Sequence, residues 1–165
     1  MAAPLVQLTR TTSAPVGGPS AVPATPVRKP SWLKVRTPGG QNYVEIRGMM
    51  RELGLGTVCE EARCPNIGEC WEHKAATFMI LGDVCTRACR FCHVATGLGR
   101  PVDPEEPRRV AEASRALGLR HVVLTSVNRD DLPDQGSKQF ASAIGEIRAL
   151  SPEASIEVLT PDFRG

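Results

Sequence analysis

The sequence predicts an α/β fold built on a parallel sheet, and three observations carry that prediction. Short, continuous apolar runs recur at Thr77–Leu81, His121–Ser126 and Ser155–Thr160. That is the pattern of strands covered by other layers. Two stretches with apolar residues at helical spacing separate them. The order strand, helix, strand, helix, strand implies right-handed crossovers. The most polar text, a cysteine loop included, comes after the strands' C-terminal ends, where parallel α/β proteins place their chemistry.

Residues 1–30 are rich in Ala, Pro, Thr, Ser and Gly and read as a disordered tail. No Asp or Glu precedes Glu45, which also suits an organelle transit peptide, but the prolines spoil the amphipathic helix that such a peptide needs. A cytoplasmic location is therefore expected, with mitochondrion or plastid as the alternative. Trp32 and Leu33 either anchor this arm or lie in a solvated linker. Asn42–Leu53 predicts a helix capped by Asn42 with Glu45 at the capping-box position, burying Ile46, Met50 and Leu53 and ended by Gly54 and Gly56.

Asp103-Pro104-Glu105-Glu106 predicts the next long helix, with Asp103 as cap and Pro104 at its first position. Val110, Ala113 and Leu117 form its inner face and Gly118 closes it. A further helix starts near Ser137, turns Phe140, Ile144, Ile147 and Leu150 inward, and stops at Ser151-Pro152.

Composition narrows the function. The chain has 165 residues, enough for a domain with a real core. A net charge of +2 argues against a nucleic-acid partner, and 4% aromatic content argues against base-stacking platforms. No apolar run approaches a membrane span, and no secretory segment opens the chain. All six cysteines fall between Cys59 and Cys92. Two compact triplets in a reducing compartment suit metal binding better than disulfides.

The second triplet, Cys85, Cys89 and Cys92, has the spacing C-x3-C-x2-C. A structural zinc wants four ligands, and a 4Fe–4S cube has four corners. Three thiolates leave one iron open, and an open metal position is a place for chemistry. The first triplet, Cys59, Cys64 and Cys70, is spaced C-x4-C-x5-C. One zinc on Cys59, Cys64, Cys70 and His73 is the plainer reading of that group. His93 adjoins Cys92 too closely to share its ion. Arg87 and Arg90 either offset the charge of a cluster or are solvated surface residues. Thr125–Leu132 is either part of a site on the cysteine rim or a turn with capping residues.

C-x3-C-x-aromatic-C, with Phe91 as the aromatic, resembles the signature of the radical S-adenosylmethionine (SAM) enzymes. Together with Cys59–Trp71, Thr125–Leu132 and Glu157–Phe163, it resembles the lipoyl synthase family from about Arg28 to Gly165. The resemblance implies two 4Fe–4S clusters and SAM. Cys85, Cys89 and Cys92 would hold the SAM cluster, with Phe91 beside the adenine, and Cys59, Cys64 and Cys70 an auxiliary one.

The implied reaction inserts two sulfur atoms at C6 and C8 of a protein-bound octanoyl group. Implied partners are an octanoylated lipoyl carrier domain of 2-oxoacid dehydrogenase complexes or the glycine cleavage H protein, and an electron donor such as ferredoxin or flavodoxin. No nucleic acid or membrane is expected.

The implied fold is a roughly six-strand partial (β/α) barrel over 75–165, preceded by an extension over 31–74 that carries the first triplet. About three strands of that barrel are present. The expectation is a truncated barrel with an uncovered apolar face and weak or no activity. The serine that completes the family's auxiliary cluster has no counterpart, and Asp134-Gln-Gly136 departs from a glycine-richer pattern. The alternatives are a non-catalytic iron–sulfur or zinc module, and a radical enzyme that inserts sulfur into a biotin precursor.

Overall fold

A computed structural model describes residues 37–163, together with Pro30 and Leu33. The tail expected before Pro30 and the anchor expected of Trp32 lie outside the described residues. The chain divides into two units, Met1–Lys34 and Val35–Gly165.

The second unit is built from α1 (Gln41–Glu52), β1 (Gly56–Thr57), α2 (Val58–Glu61), α3 (Ile67–Glu72), β2 (Thr77–Ile80), β3 (Val84–Cys85), β4 (Ala95–Thr96), α4 (Glu106–Ala116), β5 (His121–Ser126), α5 (Ser137–Leu150) and β6 (Ser155–Leu159). The main sheet has the order β1-β2-β5-β6. Thr77 pairs with Val123, and His121 with Ser155, in the expected parallel sense. β1 adds an antiparallel edge through Gly56–Met79 and Thr57–Phe78. Two residues are too few for a period-2 pattern to register, so the sequence did not reveal this strand. β3 and β4 form a separate parallel pair.

Two helix starts differ from expectation. α1 is preceded by Gly40, and its first turn has no side-chain cap. Asn42 lies inside the helix and donates from Nδ2 to the Glu72 carbonyl at 2.7 Å. That carbonyl ends α3, so the amide ties two helices together rather than capping one. α4 starts at Glu106, with Pro107 rather than Pro104 in its first turn. Asp103 Oδ1 accepts from the Glu105 amide at 2.9 Å, which makes a turn before the helix. The ends behave as expected. Gly54 (φ +61°) and Gly118 (φ +64°) are left-handed, and the amides of Leu55 and Leu119 reach back to the Met50 and Ser114 carbonyls.

One hydrophobic core runs through this unit. Val110, Ala113, Leu117, Phe140 and Ile147 meet Val122 and Leu124 of β5, all buried. Each large side chain among them contributes about 1.5–3 kcal/mol by leaving water. Ile144 and Leu150 are only half-buried, so the inner stripe of α5 is Phe140, Ala143 and Ile147. On the opposite sheet face, Met79 of β2 is buried but β5 and β6 are uncovered. His121, Ser155, Glu157 and Leu159 are exposed there, and Val123 and Thr125 are half-exposed. The sequence led us to expect that face to be apolar. It is largely polar, with Leu159 (53% exposed) as its large apolar side chain. Among the described residues, no helix is long and apolar enough to cross a membrane.

Candidate functional site

The second cysteine triplet sits where β2 ends. Leu81 (φ +69°) and Gly82 (φ +91°) are both left-handed and turn the chain out of the sheet. β3 then pairs with β4, and the Gly97 amide donates to the Cys85 carbonyl at 2.9 Å. This closes the base of the loop. Within it, the Cys92 amide donates to the Cys89 carbonyl at 3.0 Å. Cys85 is half-buried at the base, whereas Cys89 and Cys92 are exposed. Phe91 is 91% exposed, and Leu98, further along the loop, is 89% exposed.

Cys85 Sγ accepts two backbone hydrogen bonds, from Asn128 at 3.3 Å and from Arg87 at 3.4 Å. Asn128 lies just after β5, so the polar run beyond that strand does meet the cysteine loop. Four more contacts fasten the two segments. The Thr86 amide donates to the Asn128 carbonyl at 3.0 Å. The Thr86 hydroxyl lies 3.0 Å from both that carbonyl and Asp130 Oδ2. It also accepts from the Asp130 amide at 3.1 Å.

Arg87 is not a solvated surface residue, one of the two readings the sequence allowed. Its Nε and Nη2 fork onto Asp130 at 2.8 and 2.7 Å. Its Nη1 and Nη2 fork onto Asp162 at 2.9 Å each. The Asn128 amide, turned so that its oxygen faces the guanidinium, accepts from Nε and Nη1 at 2.8 and 3.0 Å. The Asp130 and then the Asp162 hydrogen bonds push the guanidinium further above its ordinary range. Arg90 remains exposed.

Behind the rim lies a second polar network that the sequence did not single out. Arg129, 2% exposed, pairs with Asp131 at 2.9 Å through both Nε and Nη2 and donates to the Leu81 carbonyl at 3.3 Å. The buried Glu106 carboxylate accepts from the Leu81 amide at 3.0 Å and from Gln139 Nε2 at 2.9 Å. Both backbone groups of the left-handed Leu81 are thereby held by buried charges. A lone Arg in a polar run carries no sequence signal for burial.

The first triplet occupies the other end of the sheet. Cys59 lies in α2, Cys64 comes shortly after it, and Cys70 lies in α3. They line a cavity of about 750 Å³ together with His73, Thr77 and His121. Thr77 and His121 open β2 and β5, so this cavity sits at the strands' N-terminal ends. Glu72 also lines it, and its Oε2 finds no partner among the described residues. Burial, and then the charges of Cys59 and Cys64, push the Cys70 thiol up.

This donor set fits an iron–sulfur centre. Thiolates that repel one another around a cavity call for a cationic group between them. Among the described residues, no three His, Cys, Asp or Glu side chains close on a single ion. In a cube each thiolate bonds a different iron, so the ligands need not converge on one point. At the other triplet, two backbone amides donate to Cys85 Sγ, the kind of hydrogen bond that cluster-ligating sulfurs accept.

Comparisons with known proteins identify the superfamily. The family model described as the radical SAM superfamily matches residues 79–165. The chain belongs to the radical SAM superfamily. Members of this superfamily use SAM and a 4Fe–4S cluster, and the matched segment contains Cys85, Cys89 and Cys92. The model for the N-terminal domain of lipoyl synthase matches residues 23–64, which include Cys59 and Cys64.

Among curated relatives, the lipoyl synthase of Halorhodospira halophila is 58% identical over 140 residues, covering 84% of this chain and 42% of the relative. That of Chloroflexus aggregans is 55% identical over 150 residues, covering 91% of this chain and 49% of the relative. The chain therefore spans a little under half the length of the curated relatives it matches.

Proposed function

We propose that this chain supplies the two cluster-binding segments of a lipoyl synthase. Cys85, Cys89 and Cys92 hold the SAM cluster, and Cys59, Cys64 and Cys70 the auxiliary one. The substrate is an octanoyl chain carried on an octanoylated lipoyl carrier domain, with ferredoxin or flavodoxin as the kind of electron donor and the cytoplasm as the setting. The three parallel strands and their two helices are the opening units of a (β/α) barrel.

The observation that carries this reading is the placement of two cysteine triplets at opposite ends of the same strands, joined by a sheet face that is uncovered along β5 and β6. Along β5 that face presents His121, Val123 and Thr125. From Val123 to Ser126 the strand rises roughly 10 Å, at about 3.3 Å per residue. That is the scale of an extended eight-carbon chain. When bound, the clusters and SAM supply a carbon radical that removes hydrogen from saturated C–H bonds, and the sulfur that takes its place.

The protein's share is placement. The Asn128 and Arg87 amides donate to Cys85 Sγ and orient it as a ligand. Exposed Cys89 and Cys92 leave the open side of the loop accessible, and Phe91 stands there as the aromatic for the adenine. Val123 and Leu159 offer apolar surface to an acyl chain beside the polar Thr125 and Glu157.

The test is iron and acid-labile sulfide per chain after anaerobic reconstitution, with zinc counted in the same sample and 5′-deoxyadenosine measured after adding SAM and reductant. About eight irons per chain, falling to about four in Cys59→Ala and in Cys85→Ala, is the expected result. SAM cleavage should survive the first substitution and vanish with the second. Any turnover of an octanoylated carrier domain is read as the mass gain of two sulfurs, and weak or no turnover by this chain is expected. Zinc without iron would overturn the reading and leave a structural module.

A further inference from the structure

We propose that Arg87 is a positioning residue: a two-edged clamp that sets the hydrogen bonding of Cys85 by locking the cysteine loop onto the loops after β5 and β6. The proposal deepens the function proposed above and rests on it. One edge of the guanidinium, Nε and Nη2, holds Asp130, and the other, Nη1 and Nη2, holds Asp162. Asp130 lies after β5 and Asp162 after β6, so one side chain joins the ends of all three parallel strands. Asp130 is the better buried partner, with 14% of its side chain exposed against 60% for Asp162.

The clamp acts on Cys85 through the backbone. Arg87 donates its own amide to Cys85 Sγ, and the segment it grips supplies the other donor, Asn128. Releasing the guanidinium frees both amides to drift from the sulfur. Hydrogen bonds to a ligand sulfur favour the reduced, more negative cluster. Their loss should therefore make the cluster harder to reduce. The positive charge itself is not the agent, because two carboxylates already saturate it. Lysine keeps that charge but presents one point donor and cannot fork onto two carboxylates along two edges.

The experiment uses the full chain, reconstituted anaerobically as wild type, Arg87→Lys and Asp162→Asn. The readout is the midpoint potential of the cluster whose EPR spectrum responds to added SAM, with iron per chain counted alongside. A clamp shifts Arg87→Lys to a more negative potential by about tenfold in the reduction equilibrium, or 59 mV for one electron. Asp162→Asn, which keeps the better buried fork, should shift the same way by less. A through-space charge effect gives the reverse pattern: Arg87→Lys matches wild type, and Asp162→Asn moves positive because an anion has gone.

That reverse pattern would overturn the clamp. If Arg87→Lys takes up no iron, the sign of the Asp162→Asn shift decides alone. A wild type with no SAM-responsive cluster would instead overturn the function proposed above. A loaded wild type whose variants are unshifted would overturn only the clamp.

Discussion

The amide of Cys64 donates to the carbonyl of Cys59 at 3.0 Å. This is the long bond of a helix-ending motif, and Arg63 supplies its left-handed residue at φ +50°. The four-residue gap between the first two cysteines is thus the gap between the last helical turn and the residue that folds back on it. A β-branched residue resists this conformation, whereas glycine accepts it. Arg63→Val should cost about 1–2 kcal/mol of stability. It should also lower reconstituted iron toward about four per chain, while Arg63→Gly keeps about eight. Equal loading of the two variants would show that this turn does not set the cysteine spacing.

Trp71, next to Cys70, is fully buried, with its ring centroid 5.1 Å from that of Tyr43. It holds α3 against α1, and so holds Cys70 in place. Its indole Nε1 has no partner among the described residues. Trp71→Phe therefore loses ring volume but no hydrogen bond and should cost under about 1.5 kcal/mol. Trp71→Ala should cost about 3–5 kcal/mol. Urea unfolding midpoints measure both, and similar costs for the two would mean that the ring itself adds little.

The order of strands and helices was legible because five segments repeat one apolar logic, from Thr77 to Leu159. The cysteine spacings were legible because ligand chemistry constrains them tightly. The Arg87 forks were not, because Asp162 lies 75 residues away and no local pattern marks a partner at that distance. Asn42 misled for a related reason. The residue type suits a cap, but the Glu72 carbonyl, 30 residues on, competes for its amide. β1 was invisible because its pairing with β2, not its own two residues, makes it a strand.

Three carboxylates make the unit sensitive to acid. The Arg129 hydrogen bond holds Asp131 below the ordinary carboxylate range. Arg109 does so for Asp103, and the amides of Lys138 and Gly136 for Asp134. The folded chain thus binds protons at these sites less readily than the unfolded chain. Their contribution is complete above the unfolded value of about 3.9 and is lost as pH falls through the lower folded values. Denaturation midpoints should be level from about pH 7 to 5 and fall below about pH 4, less steeply in Asp131→Asn. A variant with the full wild-type slope would exclude Asp131 as a contributor.

Gly99 is the neighbour that lets Arg129 stay buried, because a methyl group at Gly99 would collide with the guanidinium. Gly99→Ala should therefore push Arg129 away from Asp131 and from the Leu81 carbonyl, at a cost of about 1–3 kcal/mol. Asp131→Asn leaves the same buried cation without its counter-charge. Because Asp131 is 32% exposed and water enters on its side, the cost is about 1–3 kcal/mol rather than that of a fully buried pair. The two substitutions act on one side chain, so they should not add. Once Gly99→Ala has displaced Arg129, removing Asp131 takes away little more. A double-mutant cycle read by urea unfolding should show a coupling of about 0.5–3 kcal/mol. Simple additivity would mean that Arg129 relaxes around the new methyl group without giving up its carboxylate.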